Sequence, residues 1–511
     1  MRVIFILIAM CVLTACNLAS GSEKCVADVA IKPSENYQWL VEDSNDVRQL
    51  QPSFFGFNLE WLEFQLGLWD KQLSVVKPEA LEYLKAFPGA IYRYPGGTNS
   101  NHFEWSDAVG PVVQRPIKKQ VSWLDPLSVS FGPEEYLKFV RDVGGEAWYV
   151  ANLYGKYGEE LSSDVVAKSA GELAAHMRKL KENGLPPLLR WELGNELDRD
   201  RYHWLPQKLS AVASAVSKEI AKNDATAKFV TLMEEYPAMK QAGFSASSYN
   251  RALAKDVETF VDEYAIHLYY DGKPGGPPIK NQLTAMCRAM DDARAVGIKN
   301  PSVWVTEHAR VPEGAFTTPD WKKLWPETAN LQAAISVADM LIATVQMPEV
   351  KGAMIHTLHA SGGPWPLFHA QRSGNIYPST VMLAMRMFRE SMLPEVLHST
   401  SESANASGYE GGYDVRAVVM SEPKRKQYAI WSVNRDGHPI DLKINIPSLK
   451  GAVMATKQVF LAEADLKANN YINNQRVQPV EKQLELVFDA NGTVRITLPT
   501  HSISTLVLEV K

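Results

Sequence analysis

The sequence predicts an α/β chain: a (β/α)8 TIM barrel followed by an all-β sandwich. Three observations predict it. Eight short apolar runs alternate with helical patterns between residues 54 and 358. Two glutamates that close such runs, Glu196 and Glu307, lie 111 residues apart, three units of 37. A strand–helix unit of a barrel of ~250 residues or more takes roughly 30–40 residues, so these two fit the ends of strands four and seven. After Pro394 the pattern changes to short strands separated by turn residues, the signature of a sandwich.

The N-terminus is a processing segment. Met1-Arg2 is a short positive start, and Val3 to Leu13 is apolar but too short to span a bilayer. Leu13-Thr14-Ala15-Cys16 resembles the lipobox of bacterial lipoproteins, which implies cleavage before Cys16 and its lipidation. An ordinary secretory signal with an incidental cysteine is the alternative. Asn17 is not the aspartate that commonly retains lipoproteins in the inner membrane, so an outer-membrane anchor is expected. Residues 17–50 form a tether and pre-barrel strands expected to join the sandwich, 51–393 the barrel, and 394–511 the sandwich. Of four cysteines, Cys25 and Cys287 remain beyond Cys11 and Cys16. Export permits a disulfide between them, and a buried free thiol at Cys287 is equally compatible with the sequence.

The expected barrel strands are Phe54–Glu60, Ala90–Tyr94, Ala147–Leu153, Leu188–Asn195, Lys228–Met233, Tyr264–Tyr269, Val303–Thr306 and Gly352–Leu358. Ser163 to Glu182 and Pro206 to Lys222 are the clearest helices, with apolar residues at three- and four-residue spacing. In the last domain Tyr413–Met420, Gln427–Asn434, Ile440–Ile446, Gln458–Leu461, Leu484–Phe488, Thr493–Leu498 and Ile503–Glu509 read as strands.

Composition excludes some classes. The chain has 511 residues, a net charge of −5, and no basic block, so nothing points to nucleic acid. Thirteen tryptophans and nineteen tyrosines are compatible with sugar stacking, though most belong to a core. No CxxC pair or metal-spaced His/Cys cluster occurs, and the His308 neighbour of Glu307 does not make one.

Two carboxylates facing each other at the C-terminal ends of barrel strands are what glycosidic bond cleavage requires. One acts as acid and then base, with its pKa raised by burial and a charged neighbour; the other attacks the anomeric carbon. The bland alternative pairs Glu196 with Arg190, Arg199 or Arg201, and Glu307 with Arg310. Other strand ends add polar residues: Asn58 to Glu60, Arg93 followed by Pro95-Gly96-Gly97-Thr98-Asn99, Asn195 beside Glu196, and His267 to Tyr270. Arg93 is placed to orient a catalytic carboxylate. His356, His359 and Trp365 near the eighth strand are weaker candidates for substrate contact.

These motifs resemble the retaining α-L-arabinofuranosidases of glycoside hydrolase family 51. Gly56 to Glu60, Tyr94-Pro95-Gly96-Gly97, Phe103 to Pro111 with Gln114-Arg115-Pro116, Phe131 to Tyr136, and Leu193-Gly194-Asn195-Glu196-Leu197-Asp198 carry the likeness. The resemblance implies that Glu196 is the acid/base and Glu307 the nucleophile. It also implies that Glu60, Asn99, Asn195 and Tyr269 contact the sugar at the reacting position. The implied activity is exo-acting release of terminal sugars from a carbohydrate substrate, without metal or organic cofactor, in a homo-oligomer. The chain departs from the pattern at Thr98 and at Thr306-Glu307-His308-Ala309-Arg310, where the family usually reads Glu-Trp-Asn. A related glycosidase for a galactofuranoside, galactoside, xyloside or uronide would carry the same two glutamates. A non-catalytic polysaccharide-binding lipoprotein is the alternative from a different class.

Overall fold

The computed structural model describes Cys25, residues 31–42 and residues 47–510, except 121–123, 200, 236–243, 272–276, 315–319, 361–362, 371–374, 407–411, 425 and 471–475. The signal segment and Cys16 therefore lie outside the described residues. Among the described residues no single helix is long and apolar enough to cross a membrane.

Eight parallel strands close into a barrel: β1 (Phe55–Asn58), β2 (Ile91–Tyr94), β3 (Glu146–Ala151), β4 (Leu188–Leu193), β5 (Phe229–Leu232), β6 (Glu263–Tyr270), β7 (Val303–Arg310) and β8 (Val350–Ile355). All eight fall on the apolar runs read from the sequence. β8 pairs with β1, which removes both edges. The helices Ser163–Glu182 and Pro206–Ala221 pack against each other in the outer ring, and Pro206 opens the second at a position where its missing N–H costs nothing.

Side chains alternate along each strand. Those facing the helices form the large core, whereas Ile91, Trp148, Val230, Leu232, Ala265, Trp304 and Met354 pack inside the barrel. The rings of Trp148 and Trp304 meet there at 5.2 Å. This plug supports the polar layer above it, because a (β/α)8 barrel is filled by layers of side chains and is not a pore.

β7 carries one irregularity that matters for the site. Ile266 pairs with Val305, but the next residue, His267, pairs with Glu307. Thr306 is thus an extra residue, and a bulge of this kind re-aims the side chains that follow it. Trp304 points into the barrel, and simple alternation would turn Glu307 outward. The bulge restores it to the interior. The sequence reading ends the strand before Glu307; in the structure pairing with β6 continues to Arg310.

The sandwich has a five-stranded and a seven-stranded sheet. Gln38–Val41 lies between Ser399–Ser403 and Ile440–Asn445, and Val47–Gln49 pairs with Glu395–Leu397, so the segment before the barrel contributes to both sheets. Trp39, Ala417, Ile430, Leu442, Ile496 and Leu506 are among the residues of its core. The helix Leu331–Val345 is buried almost all round because it has barrel strands on one side and the seven-stranded sheet on the other. Its Asp339 accepts hydrogen bonds from Arg435 at 2.7 and 2.9 Å and from Arg416, tying the two domains together. Cys25 and Cys287 are joined by a disulfide, which links the N-terminal segment to the helix Ile279–Ala295.

Candidate active site

Arg93 is the hub of the polar layer. It sits on β2 between outward-facing Tyr92 and Tyr94, is fully buried, and uses its whole guanidinium. Nε and Nη2 donate to the two oxygens of Glu192 at 2.7 and 2.9 Å; Nη1 donates to Asn58 at 2.6 Å and to Glu307 at 2.8 Å; Nη2 also donates to Asn195 at 2.7 Å. Burial disfavours the cation, but the charges of Glu192 and Glu307 outweigh it and raise the Arg93 pKa further. A planar fork with five donors suits this role, which a lysine could not fill.

Glu307 is held from two sides. Oε1 accepts from Arg93, and Oε2 accepts from the Tyr269 hydroxyl at 2.7 Å. Burial pushes its pKa up, yet His267, His356 and Arg93 together hold the carboxyl below its ordinary value. The Arg93 ion pair and the Tyr269 hydroxyl favour the carboxylate form that a nucleophile needs. Arg310 is not its partner, contrary to the bland alternative.

Glu196 follows β4 in a turn. Gly194 has φ +80°, and Glu196 itself has φ +47°, a left-handed conformation that non-glycine residues adopt infrequently. Strain of this kind collects at functional sites. Its Oε1 lies 2.9 Å from Nδ1 of His267 and 3.5 Å from Nη2 of Arg199. Oxygens of Glu196 and Glu307 and a ring nitrogen of His267 all lie within 4.8 Å of one another. That spacing matches the ~5–5.5 Å between carboxyl groups of retaining glycosidases.

Burial and charge pull the Glu196 carboxyl in opposite directions. Burial does raise the Glu196 pKa, but Arg199, the hydrogen bond and charge of His267, and Arg201 outweigh it and hold the carboxyl low. For His267 burial opposes the charge, but Glu307 and Glu196 outweigh it and raise the imidazole above its ordinary value. His267 thus lies between two carboxylates that favour its charged form.

The remaining predicted residues converge here. Glu60 accepts from the backbone N–H of Gly97 and from Asn99 Nδ2 at 2.8 Å. Its pKa is pushed up to about 7, first by burial and then by the charge of Glu307. A Cβ on Gly97 would come within 2.7 Å of Glu307 Oε1 and 2.8 Å of Glu60 Oε1, so the glycine is needed for close approach to two carboxylates. His356 Nδ1 is 3.8 Å from Glu307, and the Trp365 ring lies 4.9 Å from that of Tyr269. His359 instead meets the carbonyl of Phe368 at 3.0 Å, and His308 faces outward to the hydroxyl of Tyr270 at 3.0 Å. Among the described residues Glu196, His267 and Glu307 are the group whose donors lie close enough to hold a cation, but each already has a hydrogen-bond partner, and Arg93 brings a positive charge to Glu307.

Two contributors, Glu192 and Asn101, escaped the sequence reading, and Asn58 gains a role at the bulge. Glu192 is the bidentate partner of Arg93 and also accepts from Trp148 Nε1 at 2.7 Å. Asn101 brackets Asn195, accepting from its N–H at 3.2 Å and donating to its carbonyl at 2.6 Å. Asn58 donates to the carbonyl of the bulge residue Thr306 at 2.7 Å.

A closed barrel with two such carboxylates at its C-terminal mouth, joined to a β-sandwich, defines a glycoside hydrolase. Residues 83–272 match the model of the α-L-arabinofuranosidase 1 domain, and residues 302–502 match that of the α-L-arabinofuranosidase C-terminal domain. The chain is an α-L-arabinofuranosidase-like protein of glycoside hydrolase family 51. It is similar to an exo-α-(1→6)-L-arabinofuranosidase of Bifidobacterium longum, 21% identical over 91% of this chain and 96% of that one. It is also similar to an intracellular exo-α-(1→5)-L-arabinofuranosidase of Streptomyces lividans, 24% identical over 86% of this chain and 71% of that one. In fold it resembles a family 51 α-L-arabinofuranosidase from Bifidobacterium longum, with a TM-score of 0.76 at 17% identity, covering 94% of this chain and all of the other.

Proposed function

We propose that the protein is an exo-acting, retaining α-L-arabinofuranosidase in which Glu307 is the nucleophile and Glu196 the acid/base. The observation that carries this reading is the placement of oxygens of the two carboxylates within 4.8 Å, one held by Arg93 and Tyr269, the other against His267. Glu307 attacks the anomeric carbon as its bond to the leaving oxygen breaks, giving a glycosyl ester. That ester has no charge. Glu196, 2.9 Å from Nδ1 of His267, gives its proton to the leaving oxygen as that bond breaks. In the second step Glu196 takes a proton from water, which attacks the same carbon and frees Glu307. Glu60, Asn99, Asn195 and Tyr269 converge on the space before Glu307 and are the sugar-binding set of this reading, with Arg93 and His267 behind the two carboxylates. Exo action is supported by the names of both curated relatives.

We further propose a bacterial cell-envelope protein with a lipid anchor at Cys16, on the outer membrane. The Leu13 to Cys16 pattern supports this, as does the Cys25–Cys287 disulfide, since such bonds persist in oxidising compartments.

The test is hydrolysis of aryl α-L-arabinofuranoside, β-D-galactofuranoside, β-D-xyloside, β-D-galactoside and β-D-glucuronide by the purified protein, beside Glu307→Ala and Glu196→Ala. Release from the arabinofuranoside is expected, lost in Glu307→Ala and restored by azide. Glu196→Ala is expected to keep cleavage of good leaving groups better than poor ones. Full activity in Glu307→Ala would overturn the assignment.

A further inference from the structure

The leaving group must lie against Glu196 on the side away from Glu307. Three segments meet beside Glu196: the residues that follow it, 197–199 and 201–204, the end of the 3-10 helix Thr98–His102, and the loop after β3. They bring an aromatic group to the barrel mouth. The Tyr154 and Tyr202 rings lie 4.8 Å apart, His102 is 5.4 Å from Tyr154 and 6.2 Å from Tyr157, and the Tyr202 hydroxyl meets His102 Nε2 at 3.1 Å. Tyr154, Tyr202 and His102 are half-buried, and Tyr157 is 42% exposed. The group is fixed to the catalytic residues by its backbone. The N–H of Arg199 donates to the carbonyl of Glu196 at 3.1 Å, that of Tyr202 to Arg199 at 2.8 Å, and neighbouring Asn101 brackets Asn195.

Two arginines follow the acid/base in this turn. Arg199 is fully occupied with Glu196, Asp198 and Glu235. Arg201 is exposed, has no ion-pair partner among the described residues, and lies 5.9 Å from the Tyr202 ring. Its charge helps to lower the pKa values of Glu196 and His102. The lysines of the same rim are paired, Lys156 with Glu159 and Lys208 with Glu160.

We infer that this cluster is a leaving-group subsite for a sugar that bears a carboxylate: its ring rests on Tyr202, Tyr154 and Tyr157, and its acid group pairs with Arg201. The natural acceptor is then a uronosyl residue of an acidic polysaccharide. The inference rests on Glu196 being the acid/base, because that choice decides which side of the site receives the leaving group.

The experiment compares α-L-arabinofuranosyl-glucuronate with its carboxyl-reduced arabinofuranosyl-glucose, using the full chain, Arg201→Gln, Arg201→Lys and Tyr202→Ala. A charge-assisted pair at this partly exposed position is expected to favour the acid by about tenfold in kcat/KM, less at high salt. Arg201→Gln should abolish the preference through KM, and Arg201→Lys should restore part of it. Tyr202→Ala should raise KM for both substrates. Equal kcat/KM for the two substrates in the parent, or a preference that survives in Arg201→Gln, would overturn the acidic subsite while leaving the arabinofuranosidase reading intact. Failure to release arabinose from these substrates and from an activated aryl arabinofuranoside would instead overturn that reading, and this inference with it.

Discussion

Glu192→Gln isolates the buried support of the site from its chemistry. Glu192 touches no position a sugar can reach, yet it accepts three hydrogen bonds: Arg93 Nε at 2.7 Å, Arg93 Nη2 at 2.9 Å and Trp148 Nε1 at 2.7 Å. Glutamine has the same shape but one acceptor oxygen and one NH2 group. With the oxygen between Nε and Trp148, the NH2 faces Nη2, donor against donor. In the opposite orientation the NH2 faces two donors. Both leave a buried donor unsatisfied and remove a charge opposite Arg93. Breaking a buried ion pair costs about 3–5 kcal/mol, and the surviving Glu307 contact places this case near about 3. Catalysis suffers separately. Arg93 is drawn toward Glu307, holding that carboxylate more tightly, and its bond to Asn195 loosens. A displacement on the order of 1 Å costs roughly 10²-fold in rate. The assay is kcat on an activated aryl arabinofuranoside, read with the denaturant midpoint. Both should fall in Glu192→Gln. A kcat within about threefold of the parent, with an unchanged midpoint, would refute the role of Glu192 as the anchor of Arg93.

Other outcomes follow from the same geometry. Gly97→Ala should lower kcat by roughly 10²-fold, since the new methyl must push two carboxylates out of place; single-turnover rates check this. His267→Asn should shift the basic limb of the pH–kcat/KM profile, because it removes an imidazole raised above its ordinary 6.5 together with the hydrogen bond and charge that lower the Glu196 carboxyl; an unmoved limb would show that His267 is not coupled to the acid/base. Glu60 has its pKa raised from 4.5 to about 7, so the folded chain keeps a proton that the unfolded chain has lost, and this group makes stability fall as pH rises through that window. Unfolding midpoints of Glu60→Gln, measured relative to the parent from pH 4 to 8, should accordingly shift in the variant's favour across it.

Much of the barrel was legible because its strands are buried on both faces and read as apolar runs. In the sandwich, Gln427–Asn434 and Thr493–Leu498 have the bounds read from the sequence, since turns with glycine and asparagine mark their ends. Glu395–Leu397 and Ser399–Ser403 were not legible: they are short, and the second is rich in serine with little apolar alternation. The paired glutamates, Arg93, His267 and Tyr269 could be found because each sits at the C-terminal end of an apolar run. Glu192 lies one turn of alternation deeper, inside a run taken as plain strand. A charged residue between outward-facing Trp191 and Leu193 was the available signal. Asn101 had a weaker one, a second asparagine two residues beyond Asn99.

The register that brings His267 beside Glu307 could not be read from the sequence, because it depends on a bulge that a single inserted residue creates without any local signature. Trp304 and Glu307 are three positions apart on one strand, and strict alternation would put them on opposite faces. Trp304 is needed below, packed on Trp148 inside the barrel; Glu307 is needed above, against Arg93 and Tyr269. Thr306 reconciles the two demands, and its carbonyl is secured by Asn58, which also accepts from Arg93. The same residue that accommodates the bulge therefore also orients the guanidinium. His267 comes into line with Glu307 through that shift of register and meets Glu196 at 2.9 Å. The barrel's interior packing and its acid–base chemistry are thus coupled through one residue of register. A change of strand phase at Thr306 would turn His308 inward and Glu307 into the helix layer, leaving the fold's apolar pattern nearly intact while removing its nucleophile.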